Sequence, residues 1–331
     1  MHRNRPFWTW PPVAALAVAV AAAAVAVSGC SDSSPANGAT KTLRVTANFY
    51  PVEESAKAIG GELVSVSDLT PVGGEPHDLE LRPAQVADLE RANLVLYLAD
   101  GFQPQVEKAV ASLPASVKRV DLLEGIALRP AQVGIPGVQG QVDGGSGGPE
   151  ALKGDRDPHV WVDPTRFVAM ATRIRAALIA ADPSGRATFE ANARRYIAGL
   201  RALDRDFAAT LRDCRSPVLV TSHAAFGYLA DHYGLTQAAI AGISPEAEPD
   251  PKSLAATAGY AKAHHVNAVF FETLVPRKLS ETVARTIGAK TAALNPVEGL
   301  DRQQLDAGET YTSIQRENLA AMVKALRCTG R

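Results

Sequence analysis

The chain has 331 residues, 46% of them hydrophobic and 21% charged, with 34 Lys plus Arg against 35 Asp plus Glu and a formal net charge of -1. That balance describes a globular chain long enough for two domains, with no basic excess to hold a nucleic-acid backbone. Three Cys and 6% aromatic residues exclude a Cys-rich zinc fold, a disulfide-dense miniprotein and an extended base- or sugar-stacking surface.

Residues 1–29 read as an export signal. Arg3 and Arg5 precede an apolar run at 13–27, whose roughly fifteen residues fall short of the about 20 a membrane span needs. The run ends in Val27-Ser28-Gly29-Cys30, which resembles the bacterial lipobox, where the Cys is acylated and becomes the new N-terminus. Cys30 is therefore the expected lipidation residue, and residues 30–41 the flexible tether of an exported body. That body is expected to be anchored to the outer face of the cell membrane or to be periplasmic.

From residue 42 apolar alternation and helical periodicity take turns. Strands are expected at 43–47, 63–69, 93–98 and 117–122, and helices at 52–59, 83–91 and 103–112. Residues 131–154 interrupt the pattern with eight Gly and read as a surface loop. Asp163-Pro164 and Asp182-Pro183 are helix-start signals, and the second opens a helix expected to reach residue 213, about 45 Å long. Strands follow at 218–221, 237–241, 268–271 and 291–294, and helices near 225–233, 252–264, 278–287 and 306–326. The expected fold is α/β, with two lobes on mainly parallel sheets: an N-terminal lobe at 42–182, a linking helix at 183–213 and a C-terminal lobe at 214–331.

Of the seven His, His2 leaves with the signal. His232 falls within a helix, while His264 and His265 end another, where cations suit the helix dipole. His77, His159 and His223 each sit where a strand is expected to hand over to a loop or helix, the edge at which open α/β sheets bind ligands. Their separations of 82 and 64 residues form no local metal motif. Residues 76–80 (Pro-His-Asp-Leu-Glu), 157–164 (Asp-Pro-His-Val-Trp-Val-Asp-Pro) and 221–228 (Thr-Ser-His-Ala-Ala-Phe-Gly-Tyr) resemble metal-ligand segments of the zinc/manganese-binding lipoproteins that serve bacterial ABC importers. Residues 243–249 and 269–272 resemble two further signatures of that family, and the likeness runs in order over roughly 42–326.

The resemblance implies two α/β lobes bridged by a backbone helix, with the metal at their interface. It also implies His77, His159 and His223 as ligands. At the fourth position the family commonly has Asp before Pro, whereas this chain reads Leu294-Asn295-Pro296. Asn295 takes that place, with Glu298, Glu272 or a water as the other ways to complete the shell. The resemblance further implies an importer permease with its ATPase as partners, the membrane through the lipid anchor, a monomer and no nucleic acid.

Three imidazoles suit Zn2+. Mn2+ prefers oxygen donors, and losing the Asp removes one oxygen and one charge, so zinc is favoured. A zinc-dependent hydrolase on the same three His is the rival, but His-Glu-x-x-His, Gly-x-Ser-x-Gly and P-loop motifs are missing and no enzyme is expected. A surface adhesin of the same family is a further alternative. With Cys30 lipidated, Cys214 and Cys328 remain in an oxidising compartment and are expected to pair.

Overall fold

The computed structural model describes residues 42–131, 135 and 156–329. The signal, Cys30, the tether and almost all of the Gly-rich segment lie outside them.

The first sheet is built from β1 (Leu43–Ala47), β2 (Val64–Asp68), β3 (Leu94–Tyr97) and β4 (Lys118–Asp121), in the order β2-β1-β3-β4 and parallel throughout. Helices α1 (Tyr50–Gly60), α2 (Pro83–Arg91) and α3 (Pro104–Ala111) make the crossovers. Each has Pro in its first turn, where the missing N–H is not needed. The second sheet repeats the plan with β5 (Val218–Thr221), β6 (Thr236–Ala239), β7 (Ala268–Phe271) and β8 (Lys290–Ala293), in the order β6-β5-β7-β8 and again parallel. Its crossovers are α6 (Gly227–His232), α7 (Pro251–Ala263) and α8 (Lys278–Ile287). Central strands β3 and β5 are almost wholly buried, as a sheet covered on both faces requires. The expected pair of parallel α/β lobes is what the chain forms.

Between the sheets run α4 (Pro164–Ala181) and α5 (Arg186–Leu211). Asp163 caps α4 by accepting from the Thr165 N–H. Helix α5 has 26 residues, about 39 Å, and buries Phe189, Ala193, Ile197, Leu200, Leu203, Phe207 and Leu211 at steps of three and four. It packs on α1, α4 and α10 (Tyr311–Leu326), so it touches elements from both ends of the chain. One hydrophobic core containing Trp161, Phe167, Phe207, Phe226 and Tyr311 is continuous across both lobes. Continuity of that kind resists independent movement of the lobes.

One expected helix is divided. Instead of a single run over 306–326, a short α9 (Arg302–Asp306) ends at Ala307, and α10 begins after Thr310. Gly308 sits at φ 71°, a left-handed turn that glycine takes without steric cost. Thr310 and Ser313 then form a reciprocal cap. At the other end of α10, Cys328 is joined to Cys214 by the expected disulfide, which closes a separation of 114 residues. No helix among the described residues is long and apolar enough to cross a membrane.

Candidate metal centre

Four buried side chains converge where the C-terminal ends of the two sheets face one another. The Nε2 atoms of His77 and His159 stand 3.3 Å apart, as do those of His159 and His223. Glu298 Oε1 lies 3.5 Å from His77 Nε2 and 3.3 Å from Nε2 of both His159 and His223. That oxygen is buried and has no hydrogen-bond partner among the described residues. In a tetrahedral site with bonds of about 2.0–2.2 Å, neighbouring donors are about 3.3–3.6 Å apart. The four atoms have the spacing of donors around a single zinc-sized ion, and the donor set of three nitrogens and one carboxylate oxygen fits Zn2+.

Two of the imidazoles are fixed from behind. His159 Nδ1 donates to Asp157 Oδ1 at 2.8 Å, and the same oxygen accepts the His159 backbone N–H at 2.9 Å. His223 Nδ1 donates to Glu272 at 2.7 Å, and Glu272 also accepts from the His223 N–H and the Ser222 hydroxyl. A carboxylate on Nδ1 selects the tautomer whose Nε2 lone pair is free for a metal. His77 Nδ1 has no such partner among the described residues; the ring packs edge-on to Phe102 at 4.8 Å between centroids. Its backbone is held instead, because Gln103 Nε2 donates to the Pro76 carbonyl at 3.0 Å within a buried network with Asn48 and Thr70.

The electrostatics follow from these partners. Burial pushes the His223 pKa down, but the carboxylates of Glu272 and Glu298 outweigh it and hold it well above the usual imidazole range. His159 is also raised, against burial, by Asp157 and Glu298. In His77 burial wins and the pKa falls. Glu298 is itself buried, yet the surrounding imidazoles keep it well below the usual carboxylate range. Nearby Glu75 goes the other way: burial, helped by the Glu298 charge, pushes it up to about 9. The site is therefore a carboxylate held ionised among three histidine rings, with Glu75 kept protonated at neutral pH beside it.

A buried turn aims Glu298. Asn295 Oδ1 accepts the Val297 N–H at 2.7 Å, and Nδ2 donates to Thr273 Oγ1 at 3.3 Å. This side chain-to-backbone turn holds Val297 at φ 61°, a costly conformation for a β-branched residue. Asn318 of α10 grips the Asn295 backbone from both sides, accepting from its N–H at 2.8 Å and donating to its carbonyl at 2.7 Å. Asn295 makes no hydrogen bond to the imidazoles among the described residues.

The ligand segments of the two lobes are also tied to each other. Trp161 Nε1, two residues from His159, donates to the Pro296 carbonyl at 2.8 Å, and Tyr311 and Gln315 of α10 donate to the carbonyls of Trp161 and Val162. On the other side of His159, the Tyr228 hydroxyl of α6 donates to the Asp157 carbonyl at 2.6 Å and accepts the Arg129 N–H at 2.9 Å. Gly227 allows that approach: a Cβ there would stand 2.2 Å from Arg129 Nη1.

His77, His159 and His223 are thus brought together as the sequence indicated, and Glu298 joins them. Glu272 stands behind His223. His232 instead bonds Asp163 at 3.1 Å and stacks on Tyr233, and His264 ends α7 beside Tyr260. The expected strand-junction setting holds for His223, two residues past β5. It does not hold for His77, nine residues past β2, nor for His159, which lies 38 residues past β4 and leads into a 3-10 turn at Val160–Val162. Asp157 was not anticipated as the orienting partner of His159, although an acid two residues before a ligand His, separated from it by Pro, is a signal for such a bond.

Comparison with known proteins agrees with this geometry. A family model described as "ZnuA: Zinc-uptake complex component A periplasmic" matches residues 45–325. The chain is 35% identical over 294 residues to "Zinc-binding lipoprotein AdcA" of Streptococcus pneumoniae TIGR4, covering 88% of this chain and 57% of that protein. It is 34% identical over 310 residues to "High-affinity zinc uptake system protein ZnuA" of Bacillus subtilis, covering 91% and 93%. The crystal structure of the Zn(II)-bound ZnuA-like domain of Streptococcus pneumoniae AdcA superposes with a TM-score of 0.71 at 34% identity, covering 86% of this chain and 99% of that one.

Proposed function

The chain belongs to the zinc-uptake complex component A family, and from that premise we propose that it captures Zn2+ outside the cytoplasmic membrane and delivers it to an ABC importer. The observation that carries this reading is the convergence of three Nε2 atoms and Glu298 Oε1 at tetrahedral spacing in a buried centre. In this reading His77, His159, His223 and Glu298 are the ligands, and Asn295 aims Glu298 rather than binding the ion. Asp157 and Glu272 set the tautomers of their imidazoles.

Four protein donors fill a tetrahedron, whereas a catalytic zinc keeps one position open for water. This favours capture over hydrolysis. Three nitrogens and one oxygen favour Zn2+ over Mn2+, and Cu2+ and Ni2+ compete on the same donors. The lipobox-like run ending at Cys30 supports a lipid anchor, in keeping with the lipoprotein naming of the pneumococcal relative. The cargo then passes to a permease with its ATPase, and the carrier acts as a monomer.

Competition titration against a chromophoric chelator, with bound metal counted by mass spectrometry, tests the proposal. One zinc per chain, lost on His223→Ala, is expected. A chain that takes up no zinc, or takes it up equally after that substitution, contradicts it.

A further inference from the structure

The two sheets share one strand order, yet their N-terminal edges differ in charge. On the second lobe, residues 212–215, 262–267, 285–290 and 324–329 lead into or close that edge. They carry seven Lys and Arg against one acid, Asp213, and all seven cations are exposed. Hydrogen bonds join these segments into one line. The Arg215 N–H donates to the Arg327 carbonyl at 3.5 Å, the Arg327 guanidinium bonds Asn267 Oδ1, and the Lys290 N–H donates to the Asn267 carbonyl at 3.0 Å. Arg212 pairs with Asp213 at 3.4 Å and Arg285 with Glu281 at 3.9 Å. The side chains of Arg215, Lys262, Lys290 and Lys324 have no carboxylate partner among the described residues.

Helix dipoles account for part of this charge. Lys262, Arg285 and Lys324 lie in the last turns of α7, α8 and α10, where cations are favoured. Arg215 and Lys290 stand at strand entries instead, and the first lobe, built to the same plan, does not repeat the pattern. There Arg44 Nε donates to the Arg91 carbonyl at 2.8 Å, Arg91 pairs with Asp88 at 2.6 Å, and Lys118 Nζ donates to the Ala180 carbonyl. Glu62 and Glu90, exposed at the same edge, lower its charge further.

The basic edge is separated from His223, Glu272 and Glu298 by the length of the strands, about 13 Å. It is also remote from the tether. Leu43 of β1 pairs with Val64, and adjacent Leu63 approaches Gly185 before α5, where a Cβ would stand 2.9 Å from Leu63 Cδ1. The chain thus enters beside the start of α5, while the basic edge begins past Leu211 at its other end, about 39 Å away. Twelve residues from Cys30 to Thr42 reach at most about 40 Å, so contact of this edge with the bilayer would need the tether drawn almost straight.

We propose that the N-terminal edge of the second sheet holds a linear phosphodiester polymer of the cell envelope, beyond the bilayer surface. The proposal rests on export of the chain and on Cys30 as the lipid-bearing residue. Guanidinium groups bind phosphate oxygens through paired hydrogen bonds, and a row of cations without acidic partners attracts a chain of negative charges locally although the whole molecule is close to neutral. That attraction fades within a Debye length of about 10 Å at 0.1 M salt.

Lysine acetylation read by mass spectrometry tests this on the metal-free mature lipoprotein in phosphatidylcholine nanodiscs, with poly(glycerol phosphate) or polyglutamate added. The phosphate polymer is expected to slow modification of Lys262, Lys290 and Lys324 severalfold, with recovery at high salt, and to leave Lys57 and Lys118 unchanged. Arg215→Gln combined with Lys290→Gln should lower polymer affinity about tenfold without altering the circular dichroism spectrum. No slowing, or equal slowing at Lys57 and Lys118, overturns the proposal. Greater slowing by polyglutamate also overturns it and marks an acidic protein as the occupant. The mass of the mature chain reports separately on the anchor. If Cys30 carries no lipid, phosphatidylglycerol vesicles join the comparison, and slower modification with vesicles than with the polymer overturns the proposal.

Discussion

In the second lobe the site residues stand close to strand ends, with His223 two residues past β5, its partner Glu272 one past β7 and Glu298 five past β8. In the first lobe His77 lies nine residues past β2, and His159 lies 38 past β4. The sheets share one strand order, yet the second fixes its imidazole through its own neighbouring strand, while the first depends on loops. Those loops are held by Gln103, by Trp161 and by Tyr228, and the last two bonds cross to the other lobe. Half of the site is therefore made by the lobe interface. Lobes that must supply each other's hydrogen bonds form a stiff site, consistent with the core shared between them.

The largest expected effect sets a ligand against a bystander. His159→Ala should weaken zinc binding by about a thousandfold, roughly 4 kcal/mol, while His232→Ala leaves it unchanged in the same competition titration. Equal losses would mean that the wrong histidines have been grouped.

Next comes pH, which separates the imidazoles. A raised pKa means that metal-free His223 holds its proton to higher pH than a free imidazole, and zinc must displace it. Apparent affinity should therefore keep climbing as pH rises past about 6.5, by up to about tenfold per unit for each proton displaced, and level off only above the raised value. His77, with its lowered pKa, is already neutral and adds nothing in that range. Titrations from pH 6 to 9 check this; a plateau beginning at about 6.5 would contradict the assigned partners.

Removing the orienting carboxylates should cost about ten- to a hundredfold each, for Glu272→Gln in one lobe and Asp157→Asn in the other. The cobalt-loaded protein should then show altered visible bands with unchanged stoichiometry. The mildest change sharpens the contrast most: Tyr228→Phe keeps the ring and removes the hydroxyl that bonds Asp157 and Arg129, an effect on affinity of about 1 kcal/mol or fivefold. If affinity and cobalt spectrum are both untouched by Tyr228→Phe, the first-lobe ligands do not lean on the second lobe.

Much of this architecture was legible before the structure. Pro83 in the first turn of α2, alternation in β1 and the short apolar runs of β5 and β7 placed these elements to the residue, as helical periodicity did for α8, because those signals act locally. The break between α9 and α10 carried its own signal, Gly308 followed by Thr310 and Ser313, which the apolar periodicity over 306–326 masked. The three His were legible through family segments, since ligands 82 and 64 residues apart meet only after folding. Glu298 was legible only as one of several candidates for the fourth place, behind Asn295. Its placement depends on a left-handed Val297, which the Asn295 side chain two residues earlier holds in a turn and Asn318 of α10 secures by gripping the Asn295 backbone.

Paired competition titrations of Glu298→Gln and Asn295→Asp bear most directly on the fourth donor. With Glu298 as ligand, Glu298→Gln should lose about a hundredfold or more in zinc affinity. Asn295→Asp, whose carboxylate still accepts the Val297 N–H, should stay within about threefold. A gain of about tenfold for Asn295→Asp with Glu298→Gln unchanged would contradict the account and place the fourth bond at residue 295.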